Sequence, residues 1–97
     1  MINQQDFIDQ IFCGDATTIL QHFPEQSIDC MVTSPPYFNQ RDYGHPSQIG
    51  WEQTTQEYMA RLVQVFDQVY RVLKNSGTVW LNLGDKYEEG QLLGIPW

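Results

Sequence analysis

This chain has little positive charge. Five Lys and Arg stand against twelve Asp and Glu, for a formal net charge of −7. Gripping a nucleic acid normally takes a basic surface, and Arg41, Arg61, Arg71, Lys74 and Lys86 form no sequence cluster. The chain alone is therefore expected to hold a phosphate backbone poorly. Long apolar runs are missing too, which excludes a membrane-spanning helix. The N-terminal Met-Ile-Asn-Gln-Gln-Asp has neither the basic nor the apolar stretch of a secretory signal, so the expected location is the cytoplasm. Cysteine is scarce. Cys13 and Cys30 fall on expected neighbouring strands, where a disulfide is one reading and buried free thiols in a reducing cytoplasm are the preferred one. His22 and His45 lie far apart and no Cys-x-x-Cys occurs, so metal-ligand spacing is absent. There are no repeats and no low-complexity segments.

What is present reads as globular. Ninety-seven residues with 41% hydrophobic and 13% aromatic content make one domain at most, with a modest core. The pattern is strand, helix, strand, loop, helix, strand. Phe7 to Cys13 reads as a first strand. Asp15 stands where a helix N-cap belongs, ahead of Ala16 to Phe23, with Pro24 ending the helix. Ile28 to Thr33 reads as the second strand. Tyr37 to Trp51 reads as a loop punctuated by Gly44, Pro46 and Gly50. Thr54-x-x-Glu57 is a capping box. After it, Tyr58, Leu62, Val65, Phe66, Val69, Val72 and Leu73 keep a helical period and read as core. Asn75-Ser76-Gly77 is expected to close that helix, and Thr78 to Leu83 to form the third strand. Strands separated by helices imply right-handed crossovers and a parallel sheet.

Thr33-Ser34-Pro35-Pro36-Tyr37 cannot continue the second strand as an ordinary strand. Two prolines remove two backbone donors and fix φ, and Pro35 drives Ser34 toward an extended conformation. The product is a stiff turn at a strand end, where open α/β sheets bind ligands. It carries a hydroxyl, bare carbonyls and an aromatic ring. Those groups suit methylation of an exocyclic amino group on a nucleobase. The lone pair of such an amine is delocalised into the ring. Two acceptors on its N–H bonds, Ser34 Oγ and the Pro35 carbonyl, can draw the nitrogen toward tetrahedral geometry. Tyr37 can stack on the base once it has left the duplex. This is catalysis by positioning and electrostatics. From these four residues alone, a proline-rich turn with a buried tyrosine reads equally well.

The surrounding residues extend the pattern. Gly14-Asp15-Ala16, the run from Ser27 to Tyr37, Gly50-Trp51-Glu52, Glu57-Tyr58, Arg71-Val72-Leu73-Lys74, Gly77-Thr78, Leu81 to Asp85 and Gly94-Ile95-Pro96-Trp97 occur in order. Together they resemble the amino-group DNA methyltransferases of bacteria and phages, which use S-adenosylmethionine. The resemblance covers nearly the whole chain. It implies an α/β, partial Rossmann-like methyltransferase fold with parallel strands and crossover helices. It implies Ser34, Pro35, Pro36 and Tyr37 as catalytic residues, and Asp15, Gly50 and Glu52 on the cofactor side, with no metal. Serine before Pro-Pro-Tyr usually accompanies cytosine-N4 methylation in this family, whereas Asp or Asn usually accompanies adenine-N6 methylation.

The resemblance also exposes a gap. The family holds its cofactor over a turn reading approximately Phe-x-Gly-x-Gly, and no two glycines here are separated by one residue. Residues 1–97 thus resemble the catalytic part of a larger enzyme, without the cofactor glycine loop and the target-recognition region. Double-stranded DNA is expected to be bound through parts outside this chain, and the chain alone is expected to be inactive. An exposed sheet edge favours self-association. Adenine-N6 methylation, an RNA substrate, and a non-catalytic remnant or interaction module stand as alternatives. Asp15 has two readings, a cofactor ligand by resemblance and a local N-cap. Glu52 has a second reading as a residue solvating a helix start. Asn82 and Asp85 read as a polar turn at the edge Tyr37 faces, and the Phe38 to Tyr43 segment, with Arg41 and Asp42, as a cover for the base or a plain loop.

Overall fold

The computed structural model describes residues 4–38 and 44–97. The elements, in order, are α1 (Gln4–Phe7), α2 (Ala16–Leu20), β1 (Ile28–Thr33), α3 (Thr55–Val72), β2 (Leu73–Leu81), β3 (Tyr87–Glu88) and β4 (Gln91–Leu92). Helices and strands both occur, with α3 between β1 and β2, so the chain is mixed α/β. It divides into two compact units, residues 1–32 with 64–80, and residues 33–63 with 81–97.

The first unit holds nearly all of β1 and β2 and the second half of α3, which connects them. β1 and β2 form a two-stranded sheet. The Ser27 N–H donates to the Val72 carbonyl at the start of the pair. The Asn82 N–H donates to the Thr33 carbonyl at its end. Both strands therefore run the same way, as a helical connection requires. The expected strand Ile28 to Thr33 is observed in full. Phe23, Val65, Val69 and Val72 are buried. Phe7 stacks on Phe23 at 4.5 Å between ring centroids, and Phe12 meets Phe23 edge-on at 5.6 Å. The Arg71 guanidinium donates to the Leu20 and Phe23 carbonyls, satisfying the frayed end of α2.

Five expectations for this unit are corrected. Phe7 to Cys13 is not a strand: α1 ends at Phe7 and the chain continues without regular structure. A strand exists through its ladder, and the sheet pairs β1 only with β2. Ile11 is 99% exposed as a result. Cys13 and Cys30 are free but exposed, not buried. Asn75-Ser76-Gly77 does not close α3. The helix ends at Val72 and β2 begins at once. Gly77 is needed for closeness instead, because a Cβ there would lie 2.6 Å from Leu73 Cγ and 3.0 Å from the Lys74 carbonyl. The expected third strand accordingly starts five residues early, at Leu73, and stops at Leu81. α2 is also shorter than expected, giving way to turns before Phe23.

The second unit surrounds the turn after β1. The capping box delivers its predicted bond, with the Glu57 N–H donating to Thr54 Oγ1 at 3.1 Å. Phe38, Tyr58, Leu62 and Ile95 form a core cluster, with Ile49, Met59, Leu83 and Leu93 packed against it. β3 and β4 make a short antiparallel hairpin with Tyr87 opposite Leu92. Its central residues, Glu89 and Gly90, both have positive φ, the geometry of a tight two-residue hairpin turn.

Candidate active site

Residues 34–37 follow β1 without regular structure. Ser34 is exposed, while Pro35, Pro36 and Tyr37 are half-buried. Pro35 and Pro36 have no N–H, so the turn cannot hold itself with its own backbone bonds. Other elements hold it. The Tyr58 hydroxyl, on α3, donates to the Pro36 carbonyl at 2.8 Å. Gly50 comes so close that a Cβ there would lie 2.9 Å from the Tyr37 carbonyl oxygen and 3.4 Å from Pro36 Cβ. Its φ of 113° lies outside the range L side chains adopt. Gly84 lies flat against the Tyr37 ring, where a Cβ would fall 2.7 Å from Cε2.

Gly50 is fixed in turn. Its N–H donates to both oxygens of Glu52, at 2.8 Å and 3.3 Å. The Glu52 side chain is only 6% exposed and pairs with Arg61 at 3.0 Å. Arg61 also donates to the Gln48 and Ser47 carbonyls, tying this loop to α3. Glu52 therefore does not solvate a helix start. Its carboxylate is bonded to a backbone N–H and a guanidinium, the partners a buried charge requires.

Burial, reinforced by the nearby Glu52 and Tyr37, pushes the Tyr58 hydroxyl up from 10.0 to about 12. It thus remains a donor throughout the neutral range. The folded pKa lies above the unfolded one, so its contribution to stability is intact below pH 10 and disappears as the pH rises toward about 12. The chain should therefore lose stability across that window. In an absorbance titration of the folded chain, one tyrosine should resist ionisation at about pH 11; complete ionisation by then would contradict this burial. At Asp85, burial acts to raise the pKa. N–H bonds from Lys86, Ile95 and Gly94 outweigh it and hold the carboxyl below its usual value. Asp85 thus closes the base of its own hairpin, and Asn82 serves the sheet through its backbone.

Of the residues the sequence singled out, Pro36, Tyr37 and Gly50 meet directly, with Glu52 behind Gly50. Asp15 belongs to the other unit. It is the N-cap of α2, where its Oδ2 accepts from the Thr18 N–H at 2.9 Å and the Thr18 hydroxyl at 3.0 Å. Phe38 is core rather than cover, with Lys86 Nζ 5.8 Å from its ring centroid. The rest of the expected cover, including Arg41 and Asp42, lies outside the described residues. Sequence reading missed Tyr58 as a partner of the turn, because its place in the apolar stripe marks it as core. Gly84 was passed over within Leu-Asn-Leu-Gly-Asp, although a glycine beside polar strand-end residues signals a close approach. Among the described residues, no group of His, Cys, Asp or Glu can hold a metal ion. No helix there is long and apolar enough to cross a membrane. Among the described residues, Arg61, Arg71 and Lys74 are engaged in internal bonds.

Residues 28–95 match the DNA methylase family of N6/N4 methyltransferases. The chain belongs to that family. A type II methyltransferase of Xanthomonas campestris pv. cyanopsidis, M.XycI, is 51% identical over 80 residues, 82% of this chain and 27% of the relative. M.Cfr9I of Citrobacter freundii is 46% identical over 80 residues, again 82% and 27%. M.SmaI of Serratia marcescens is 47% identical over 81 residues, 84% of this chain and 28% of the relative. The chain therefore spans about a quarter of the length of these relatives. No solved structure matches. The matched span includes Ser34 to Tyr37, Gly50 and Glu52, and excludes Asp15.

Proposed function

We propose that this chain is the catalytic part of a cytoplasmic, Rossmann-like DNA methyltransferase of a restriction–modification system, acting on the N4 amino group of cytosine in double-stranded DNA. The observation that carries this reading is the Ser34-Pro35-Pro36-Tyr37 turn at the end of β1, bonded by Tyr58 and closely approached by Gly50 and Gly84. Ser34 Oγ and the Pro35 carbonyl accept the two N–H bonds of the amine, and the Tyr37 ring stacks on the flipped base. S-adenosylmethionine supplies the methyl group. Asp15, Gly50 and Glu52 stand on the cofactor side by resemblance. The α2 cap uses Oδ2 of Asp15, which leaves Oδ1 to accept from an adenine amine. Glu52 is already bonded, so it acts through Gly50 rather than by its own contact. The net charge of −7 is unfavourable for phosphate, so the main DNA contacts belong to other parts of the protein.

The test incubates the protein from its complete reading frame with S-adenosylmethionine and duplex DNA, then identifies the modified nucleosides by mass spectrometry. N4-methylcytosine is expected. N6-methyladenine alone would remove the cytosine assignment and leave amino-group methylation standing.

A further inference from the structure

The structure assigns Tyr58 as a positioning residue, whose hydroxyl holds the Pro36 carbonyl so that the neighbouring Pro35 carbonyl is set toward the target amine. This rests on the methyl-transfer reading above for its catalytic meaning. Its structural content stands independently.

The turn is rich in acceptors and poor in donors. Pro35 and Pro36 contribute two carbonyls and no N–H. If both carbonyls were free, the segment could rotate and offer either one to the amine. A donor from outside the turn removes that freedom. Tyr58 supplies it from the first turns of α3, twenty-two residues away in sequence, at 2.8 Å. The donor is itself immobile. Tyr58 has no exposed surface, and its ring meets Phe38 at 5.3 Å between centroids, inside the cluster with Leu62 and Ile95. Beside the turn, the backbone of Gly50 comes so close that no side chain fits next to the Tyr37 carbonyl. With the Pro36 carbonyl held by Tyr58 and both proline φ angles fixed by their rings, the peptide ahead of it is restricted to one orientation. A buried tyrosine serving only as packing would need no acceptor from this particular turn. Here the acceptor belongs to the motif itself.

Two measurements test this. In the isotopically labelled protein from the complete reading frame, Tyr58→Phe should move the carbonyl carbon resonance of Pro36 and the amide of Tyr37. Exchanging the wild-type hydroxyl proton for deuterium should shift the same Pro36 carbonyl beyond the two-bond shift that its own Tyr37 amide gives on exchange, and that excess should be absent in Tyr58→Phe. In the protein from the complete reading frame, Tyr58→Phe should lower kcat roughly 10- to 100-fold, the scale of a misplaced reacting group. KM for DNA and cofactor should stay within about twofold. Val69→Ala, which opens the core of the first unit and touches neither Tyr58 nor its cluster, should lower the melting temperature and spare kcat. An unmoved Pro36 carbonyl in both labelled experiments would overturn the assignment. So would an unchanged kcat, or a kcat loss in Val69→Ala equal to that in Tyr58→Phe. Absence of any methyl transfer by wild type would instead strike the proposed function, and the Pro36 resonance would still decide whether Tyr58 holds the turn.

Discussion

Replacing Tyr37 with alanine should slow methyl transfer far more than replacing it with phenylalanine. A base stacked on an aromatic ring gains about 1–3 kcal/mol, which is roughly 5- to 150-fold in rate. The ring is half-buried and backed by Gly84, so it is preformed rather than recruited. Tyr37→Phe keeps the ring and that backing, and should lose severalfold at most. Steady-state rates for the two variants, compared at equal folded fraction, check this. Equal damage from both would shift the role from the ring to the hydroxyl.

Gly50→Ala should damage both stability and activity. The methyl group would have to sit 2.9 Å from the Tyr37 carbonyl oxygen, on a backbone with φ of 113°. Conformations of that kind cost of order 1–3 kcal/mol for residues with a side chain. The contact adds to this, and the obstacle is backbone rather than the end of a flexible side chain. We expect a loss of about 2 kcal/mol or more in denaturant unfolding, a large fraction of the stability of a small domain. The Pro36–Tyr37 segment would be the part displaced, so transfer should fall further than stability alone explains. A variant with wild-type stability and rate would show that the turn is not clamped between Gly50 and Tyr58.

The parts of this architecture that depend on neighbours in sequence were legible without coordinates. α3 announces itself through Thr54-x-x-Glu57 and a 3.6-residue apolar period, and it forms where expected. The Asp15 cap and the strand from Ile28 to Thr33 are equally local, and both are observed. The segment after Phe7 was misread because an apolar run becomes a strand only beside a partner. Gly77 was misread because a glycine at the foot of a helix suggests a left-handed cap, whereas this one permits a close approach to Leu73. The same division holds at the site. Two prolines dictate a stiff turn by themselves. What holds it does not show in the sequence, because Tyr58, Gly50 and Gly84 reach Pro36 and Tyr37 across long stretches of chain. Tyr58 in particular follows the helical period of its apolar neighbours, and nothing in that period reveals where its hydroxyl points.

The most direct measurement of the central claim uses S-adenosylmethionine carrying a trideuterated methyl group. Duplex DNA treated with it and the protein from the complete reading frame is digested to nucleosides and analysed by mass spectrometry. Cytosine bearing the label on its exocyclic N4, with the signal reduced by Tyr37→Ala, is the predicted result. Label on cytosine C5, or no labelled nucleoside from a folded protein that binds the cofactor, would contradict amino-group methylation at the Ser34-Pro35-Pro36-Tyr37 turn.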